Sequence, residues 1–220
     1  MTATVAAGPR FEAVGVSKTI GPSTLLAPVD VVAEAGRCLV VRGHNGIGKT
    51  TLLRILAGTL APTTGSATID GRTADERDPA VRRAVAALIG APTAYRDLTL
   101  ADHLTLVDAT WGGDATSCAE RVAAGLDALA VGHLADRFPH ELSSGQSQLF
   151  RLALVLFRPG TALVLDEPEQ RLDTDMRDLV AGLLAGRRDA GSTVVLASHD
   201  PRLSERVADE VIDLDGPARS

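Results

Sequence analysis

The hydrophobic positions of this chain fall into five short apolar runs separated by longer amphipathic stretches. The runs are CLVV at 38–41, VAALI at 85–89, ALVLD at 162–166, TVVLAS at 193–198 and EVIDL at 210–214. Uninterrupted apolar runs of this length are typical of strands buried on both faces of a mainly parallel sheet. Together with the helical stretches between them, they predict an α/β fold.

The pattern changes over residues 95–157. Three stretches there, LADHLTLVDAT, CAERVAAGLDALA and QLFRLALVLF, have helical periodicity, and no convincing strand lies between them. This region is therefore predicted to be a helical subdomain inserted in the sheet domain. We expect residues 1–220 to form a single domain, since no repeat or low-complexity tract divides the sequence.

A glycine-rich segment, GHNGIGKTT, directly follows CLVVR and directly precedes LLRILAG. It matches G-x-x-x-x-G-K-[ST] in the required order of strand, loop and helix. Its backbone N–H groups and the positive end of the next helix are expected to surround phosphate. Lys49 would reach the β- and γ-phosphates, the Thr50 hydroxyl would bind Mg²⁺, and His44 is expected to be a solvated loop residue. The predicted nucleotide-binding positions are Gly43, His44, Asn45, Gly46, Ile47, Gly48, Lys49, Thr50 and Thr51.

Two later strands are predicted to end in polar residues at the same edge of the sheet. ALVLDEP places Asp166 and Glu167 there, and LASHD places His199 there. Asp166 is expected to hold the Mg²⁺ hydration shell, and Glu167 to orient or deprotonate an attacking water. A ring N–H of His199 would donate to the γ-phosphate. The alternatives are a helix-capping acid at Glu167 and a structural histidine at 199.

Composition narrows the possible partners and compartment. Of the 220 residues, 45% are hydrophobic and only 3% aromatic, and the net charge is −6, as expected for a soluble globular protein. Lys plus Arg (22) is outnumbered by Asp plus Glu (28), so no nucleic-acid partner is expected. The two cysteines are far apart, which favours buried thiols in a reducing compartment. With neither an export signal nor a membrane-spanning run, the protein is expected to be cytoplasmic.

From about residue 17 to residue 214, the chain resembles the nucleotide-binding subunit of an ATP-binding cassette (ABC) transporter. The motifs GHNGIGKTT, LSSGQ, LVLDEP, RLD and SHD follow each other in the order and spacing of that family. The resemblance implies a P-loop NTPase (RecA-like) core with an N-terminal antiparallel β portion. It implies ATP and Mg²⁺ as ligands and an ATPase activity. It also implies two partners, a second ABC subunit (identical or different) and an integral-membrane permease that holds the protein at the inner face of the cell membrane.

In this family, LSSGQ corresponds to the signature motif, which binds ATP held by the other subunit. Its predicted contact residues are Ser143, Ser144, Gly145 and Gln146, with Ser144 in place of the usual first glycine. Ser143 is a suitable N-cap, Gly145 allows close backbone approach, and the helix from Gln146 would direct its positive end toward phosphate. The resemblance further implies that Leu172 and Asp173 contact the opposite subunit.

Two further departures from the family pattern bear on coupling and on adenine binding. The family usually has a glutamine after the strand that corresponds to VAALI, and alignment on DLT puts Ala91 or a neighbour there; GAPTAYRD contains no glutamine. In the family this glutamine links Mg²⁺ and the attacking water to the transporter interface, and this loop lacks that side chain. Ile20 occupies the place where an aromatic ring commonly stacks on adenine, and an aliphatic residue loses a contribution of about 1 kcal/mol.

Three functions remain open. The leading interpretation is an ATPase subunit that drives a separate permease. A soluble ABC-type ATPase acting on ribosomes or DNA would usually carry tandem cassettes, long coiled coils or basic segments, and none is found. A degenerate cassette that binds ATP without hydrolysing it is favoured by the missing glutamine and opposed by Lys49, Glu167 and His199.

Overall fold

The computed structural model describes residues 7–90 and 94–214. Two sheets form the framework. An antiparallel sheet has the order β2-β1-β4-β5, and a second sheet has the order β6-β7-β8-β3-β9, in which every strand pair is parallel. The strands are β1 Phe11–Ile20, β2 Ser23–Ala33, β3 Cys38–Arg42, β4 Thr64–Ile69, β5 Arg72–Thr73, β6 Val85–Leu88, β7 Ala162–Asp166, β8 Thr193–Ala197 and β9 Glu210–Asp213.

Seven α-helices and two short 3₁₀ turns connect these strands within the described residues. The helices are α1 Lys49–Leu56, α2 Pro79–Ala84, α3 Leu100–Thr110, α4 Cys118–Asp127, α5 Ser144–Leu156, α6 Thr174–Asp189 and α7 Pro201–Val207, and the 3₁₀ turns are Gly132–Leu134 and Pro139–Glu141. All five apolar runs form the parallel sheet, so the predicted α/β fold with a parallel core and an antiparallel portion is confirmed.

The parallel sheet is buried on both faces because its strands are apolar at successive positions. Val40 and Leu196 pack on one face with the helices α3 to α6, whereas Val41 and Val195 pack on the other with α1 and the antiparallel sheet. Side chains alternate between the two faces of a strand, so a run with no polar position fills two cores at once. This explains why the runs show no alternation in the sequence.

Residues 94–157 contain α3, α4, α5 and both 3₁₀ turns, and no strand is assigned in this part of the chain. Helix α5 begins at Ser144, two residues before the predicted start at Gln146. The helix starts earlier because Ser143 is its N-cap: the Ser143 Oγ accepts the Gln146 N–H, so the helix begins at the next residue. The division of the chain into a single domain with an inserted helical subdomain stays a prediction. Of the two cysteines, Cys38 is buried as expected, but Cys118 is only partly buried.

Candidate functional site

The register of the parallel sheet brings three motifs to one edge. Val41 of β3 and Asp166 of β7 both pair with Ala197 of β8, which lies between them. The segments that follow these strands therefore leave the sheet at the same level, with His199 between the glycine-rich loop and Glu167. In open α/β sheets, ligands bind at this carboxyl edge.

The glycine-rich loop needs glycine at several positions. Gly43, Gly46 and Gly48 have φ angles of 139°, 84° and 113°, which L side chains rarely adopt. A Cβ atom at Gly48 would also lie 2.6 Å from the Leu25 carbonyl oxygen on β2. The loop can therefore curl tightly against β2, and it leads directly into α1, which begins at Lys49.

The side chain of Lys49 lies at the centre of the site and is only 6% exposed. Its Nζ donates to the carbonyl oxygens of Gly43 (2.7 Å) and His44 (3.3 Å) and lies 2.8 Å from His199 Nε2. Because an ammonium group can only donate, Nε2 accepts here and the ring proton belongs on Nδ1. The predicted N–H donor to phosphate can therefore be Nδ1–H, or Nε2 once that atom carries a proton.

The two predicted Mg²⁺ ligands are in direct contact. Thr50 Oγ1 donates to Asp166 Oδ2 over 2.6 Å. A hydroxyl and a carboxylate are hard oxygen ligands of the kind that Mg²⁺ prefers, and Mg²⁺ usually takes few protein ligands beside phosphate oxygens and water. The donor set therefore fits the ion.

Glu167 has a left-handed backbone conformation, with φ 48°, at the turn after β7. Its N–H donates to the Ala197 carbonyl (2.9 Å), its Oε2 accepts from Gln170 Nε2 (3.0 Å), and its Oε1 lies 3.6 Å from His199 Nε2. Glu167 does not cap the next helix, because Asp173 is the N-cap of α6. The carboxylate instead points to the shared edge, and a left-handed conformation at a residue other than glycine often occurs at functional positions.

Two residues that the sequence analysis missed connect α5 to this edge. Gln148, 4% exposed, donates from Nε2 to the carbonyls of Glu167 (3.3 Å) and Pro168 (3.0 Å). Arg151 donates from Nη1 to Gln148 Oε1 (3.1 Å) and from Nη2 to the Gly90 carbonyl. Burial lowers the pKa of the Arg151 guanidinium, with a smaller opposing effect of Asp166. The sequence signal that could have identified them is a pair of polar residues three positions apart in an otherwise apolar helix.

A cleft of about 430 Å³ opens over the glycine-rich loop and Glu167. Thr24 and Leu25 of β2 also line it, and neither was predicted from the sequence. Ile20, at the end of β1, is 61% exposed and pairs with Ser23 across the turn. Its predicted contact with adenine stays a prediction.

The turn LSSGQ contributes none of the described residues that line this cleft. Ser143 and Gln146 form a reciprocal cap, in which Ser143 N–H donates to Gln146 Oε1 (2.9 Å) and Gln146 N–H donates to Ser143 Oγ (3.3 Å). The hydroxyl hydrogen of Ser143 can therefore point outward. Within the described residues, no partner is found for the N–H groups of Ser144 and Gly145. The turn thus offers three donors to an anion.

The remaining predicted positions are placed as follows. Asp173 Oδ1 accepts the Met176 N–H over 2.9 Å and caps α6, while Leu172 is buried; their contact with an opposite subunit stays a prediction. His44 is exposed, in agreement with a solvated loop residue. The position of the missing glutamine, Ala91 or a neighbour, lies outside the described residues.

Comparison with known proteins identifies the family of this chain. A sequence model of the family described as "ABC transporter" matches residues 26–170. The chain therefore belongs to the ABC transporter family, and the resemblance drawn from the motifs is confirmed.

Individual relatives cover most of this chain. It is 35% identical over 208 residues to the aliphatic sulfonates import ATP-binding protein SsuB 1 of Nocardia farcinica, covering 91% of this chain and 76% of that protein. It is 35% identical over 209 residues to the Fe(3+) ions import ATP-binding protein FbpC of Pseudomonas fluorescens, covering 91% of this chain. The chain spans 58% of the FbpC length and 27% of the length of a putative ABC transporter ATP-binding protein of Bifidobacterium longum.

Solved structures share the fold. A dimeric ATP-binding cassette in a post-hydrolysis state, bound to ADP and phosphate, superposes with a TM-score of 0.83 at 22% identity and covers 95% of this chain and 97% of that chain. An ATP-binding subunit of an ABC transporter superposes with a TM-score of 0.81 at 24% identity, covering 93% of this chain and 85% of that chain. At this level of identity, the likeness confirms the P-loop NTPase fold alone.

Proposed function

We propose that this protein is the ATP-binding and ATP-hydrolysing subunit of an ABC transporter and that it powers a separate membrane permease. The observation that carries the proposal is the meeting of Lys49, the pair Thr50 and Asp166, Glu167 and His199 at one sheet edge. Phosphoryl transfer needs positioning and charge neutralisation more than covalent chemistry, and this set of groups supplies both.

Each group has a distinct role in the proposed reaction. Lys49 exchanges its contacts with the loop carbonyls for the β- and γ-phosphates, where its buried charge is little screened. Glu167 orients the attacking water and accepts its proton. His199, with a proton on Nε2, donates to the γ-phosphate and remains within reach of Glu167.

Thr50 and Asp166 would hold Mg²⁺, Thr50 directly and Asp166 through the hydration shell. When bound, the ion neutralises charge on the β- and γ-phosphate oxygens. Before that, the 2.6 Å hydrogen bond between the two side chains keeps both oxygens close together. This contact reduces the reorganisation that the site needs to take up the ion.

The proposed site is completed by a second ABC subunit. The donors of Ser143, Ser144 and Gly145 lie at the start of α5, outside the cleft above Lys49. A second chain, identical or different, would bring its own LSSGQ turn onto the exposed face of the nucleotide, and Asp173 would contact it. The dimeric post-hydrolysis cassette among the structural neighbours supports this arrangement.

The permease is the second proposed partner. Within the described residues, no helix combines the length and the apolar character needed to cross a bilayer. Relatives are named as import ATP-binding proteins for sulfonates and Fe(3+), which supports a cytoplasmic subunit held at the inner face of the membrane by a separate permease. A soluble ATPase on ribosomes or DNA and a regulatory cassette without hydrolysis are not favoured by these names.

One experiment addresses both parts of the proposal. The purified chain is expected to release phosphate from ATP in a saturable reaction that EDTA abolishes, because Thr50 and Asp166 are placed for a divalent ion. Where a neighbouring gene encodes a multi-span membrane protein, the chain co-expressed with that protein is expected to co-purify with detergent-solubilised membranes. ATP binding with no phosphate release under any of these conditions would instead support the regulatory cassette.

The base-binding side of the cleft allows a separate test. Ile20→Tyr is expected to tighten nucleotide binding about fivefold, because a ring restores stacking worth about 1 kcal/mol. Equilibrium titration with a fluorescent ATP analogue measures the change. Val14→Tyr is the matched control and should leave the affinity unchanged, since Val14 is also an exposed apolar residue of β1 (54%, against 61% for Ile20) but does not line the cleft. Equal affinities of Ile20→Tyr and the wild type for both ATP and GTP would place Ile20 away from the base.

A further inference from the structure

A buried carboxylate close to the site has no role in the proposed reaction. Glu169 lies in the segment between β7 and α6, two residues after Glu167, and is 6% exposed. Within the described residues, its Oε2 atom is buried and has no hydrogen-bond partner. Burying an incompletely paired carboxylate lowers the free energy of unfolding, so Glu169 destabilises the fold at this position.

The other carboxylate oxygen of Glu169, Oε1, accepts two hydrogen bonds, and both donors belong to the segment after β8. Glu169 Oε1 accepts from the Ser198 hydroxyl and from the N–H of His199, the latter over 3.3 Å. Ser198 is fully buried, and its Oγ also accepts the Asp200 N–H over 3.0 Å. One carboxylate oxygen therefore fixes the backbone on which the His199 ring is carried.

The position of that ring matters for the site. His199 Nε2 lies 2.8 Å from Lys49 Nζ and 3.6 Å from Glu167 Oε1, so a small backbone shift would separate it from either group. The side chain of His199 is 45% exposed, so its surroundings cover only part of the ring. Its placement therefore depends on the backbone that carries it.

We propose that Glu169 is a positioning residue, whose carboxylate holds the Ser198 hydroxyl and the His199 N–H and thereby keeps the His199 ring between Lys49 and Glu167. This inference rests on the proposed ATPase function. The positioning role explains why a destabilising buried carboxylate is present. Glu167 lies after β7 and His199 after β8, and the two must act together. Glu169 connects the two segments.

The kinetic test uses Glu169→Ala with two comparison variants. Glu169→Ala is expected to lower kcat for ATP hydrolysis about tenfold while changing KM for ATP less than about twofold, because ATP is held mainly by the loop at Lys49. Glu169→Gln keeps an acceptor oxygen for both donors and is expected to retain kcat within about threefold. Glu205→Ala removes an exposed glutamate from the neighbouring helix α7 and is the matched control.

A spectroscopic readout separates positioning from general stability and does not need activity. The imidazole Cε1–H resonance of His199, assigned with His199→Asn, is expected to shift in Glu169→Ala and in Ser198→Ala, while the resonance of buried His103 stays in place. Kinetics of Glu169→Ala equal to those of Glu205→Ala would overturn the inference, as would a shift of all histidine resonances together. If the wild type proves inactive while the His199 signal still depends on Glu169, the ATPase proposal fails and the positioning contact stands.

Discussion

Glu167→Gln is expected to bind ATP as tightly as the wild type and to hydrolyse it at least about a hundredfold more slowly. Glutamine keeps the shape of the side chain and its contact with Gln170, but it cannot accept a proton from water. Because Lys49 and the glycine-rich loop are unchanged, binding should not suffer. Titration with a fluorescent ATP analogue and a phosphate-release assay measure the two properties separately.

Lys49→Ala is expected to show the opposite behaviour. It removes the only ammonium group at the centre of the described site, where a charge-assisted contact with phosphate contributes about 2 kcal/mol, so ATP affinity should fall about thirtyfold. Lys18→Ala is the control, because it removes an ammonium group that donates to the Ala61 carbonyl and does not line the cleft. If Glu167→Gln hydrolysed ATP at the wild-type rate, Glu167 would not be the group that accepts the proton from water. If Lys49→Ala kept the wild-type affinity for ATP, Lys49 would not bind the phosphates.

The core of the fold was predictable because its strands are apolar throughout. A run such as ALVLD has no alternative to burial, and the polar residues after it must lie at the edge where the strand ends. The meeting of Lys49, Asp166 and His199 follows from this rule and from the order of the strands. The local motifs and the overall topology agree, which is why the meeting of these three residues at one edge could be predicted.

The antiparallel sheet could be predicted only from the family resemblance. Pairing of β1 with β2 contains register shifts between Ala13 and Val16, between Val16 and Lys18, and between Lys18 and Thr19. Each irregularity breaks the period-2 alternation that marks a half-buried strand. The register in turn decides which side chains face the cleft, so Thr24 and Leu25 were not foreseen.

The residues that tie the site together were missed for another reason. Gln148, Arg151 and Glu169 are polar side chains that act on backbone groups far away in sequence, at Gly90, Glu167 and His199. No spacing rule within one segment identifies such partners, because they are brought together only when the segments pack. For Gln148 and Arg151, the sequence signal was a polar residue in an otherwise apolar helix, which marks burial but not the partner. Glu169 lies in the polar stretch DEPEQ, which gives no such signal.

The signature turn provides the most direct test of how two chains cooperate. If the two subunits are identical, Mg-ATP is expected to double the mass measured by light scattering in a Glu167→Gln background, where hydrolysis is slowed, and ADP is not. Adding Ser144→Asp should abolish this dimer, because its carboxylate would face the γ-phosphate bound by the other chain, where like charges repel. Each monomer should still bind ATP through Lys49.

Ser144 is a better position for this test than Gly145. A Cβ atom at Gly145 would lie 3.0 Å from the Arg171 carbonyl oxygen of the same chain, so a side chain there would disturb the segment that carries Glu167 and Asp173. Ser144 is exposed at the first position of α5, where a carboxylate also stabilises the helix. Ser144→Asn is the neutral control of equal size and should dimerise. If Ser144→Asp instead abolished ATP binding by a folded monomer, the turn would belong to the site of its own chain, and the two-chain arrangement would be wrong.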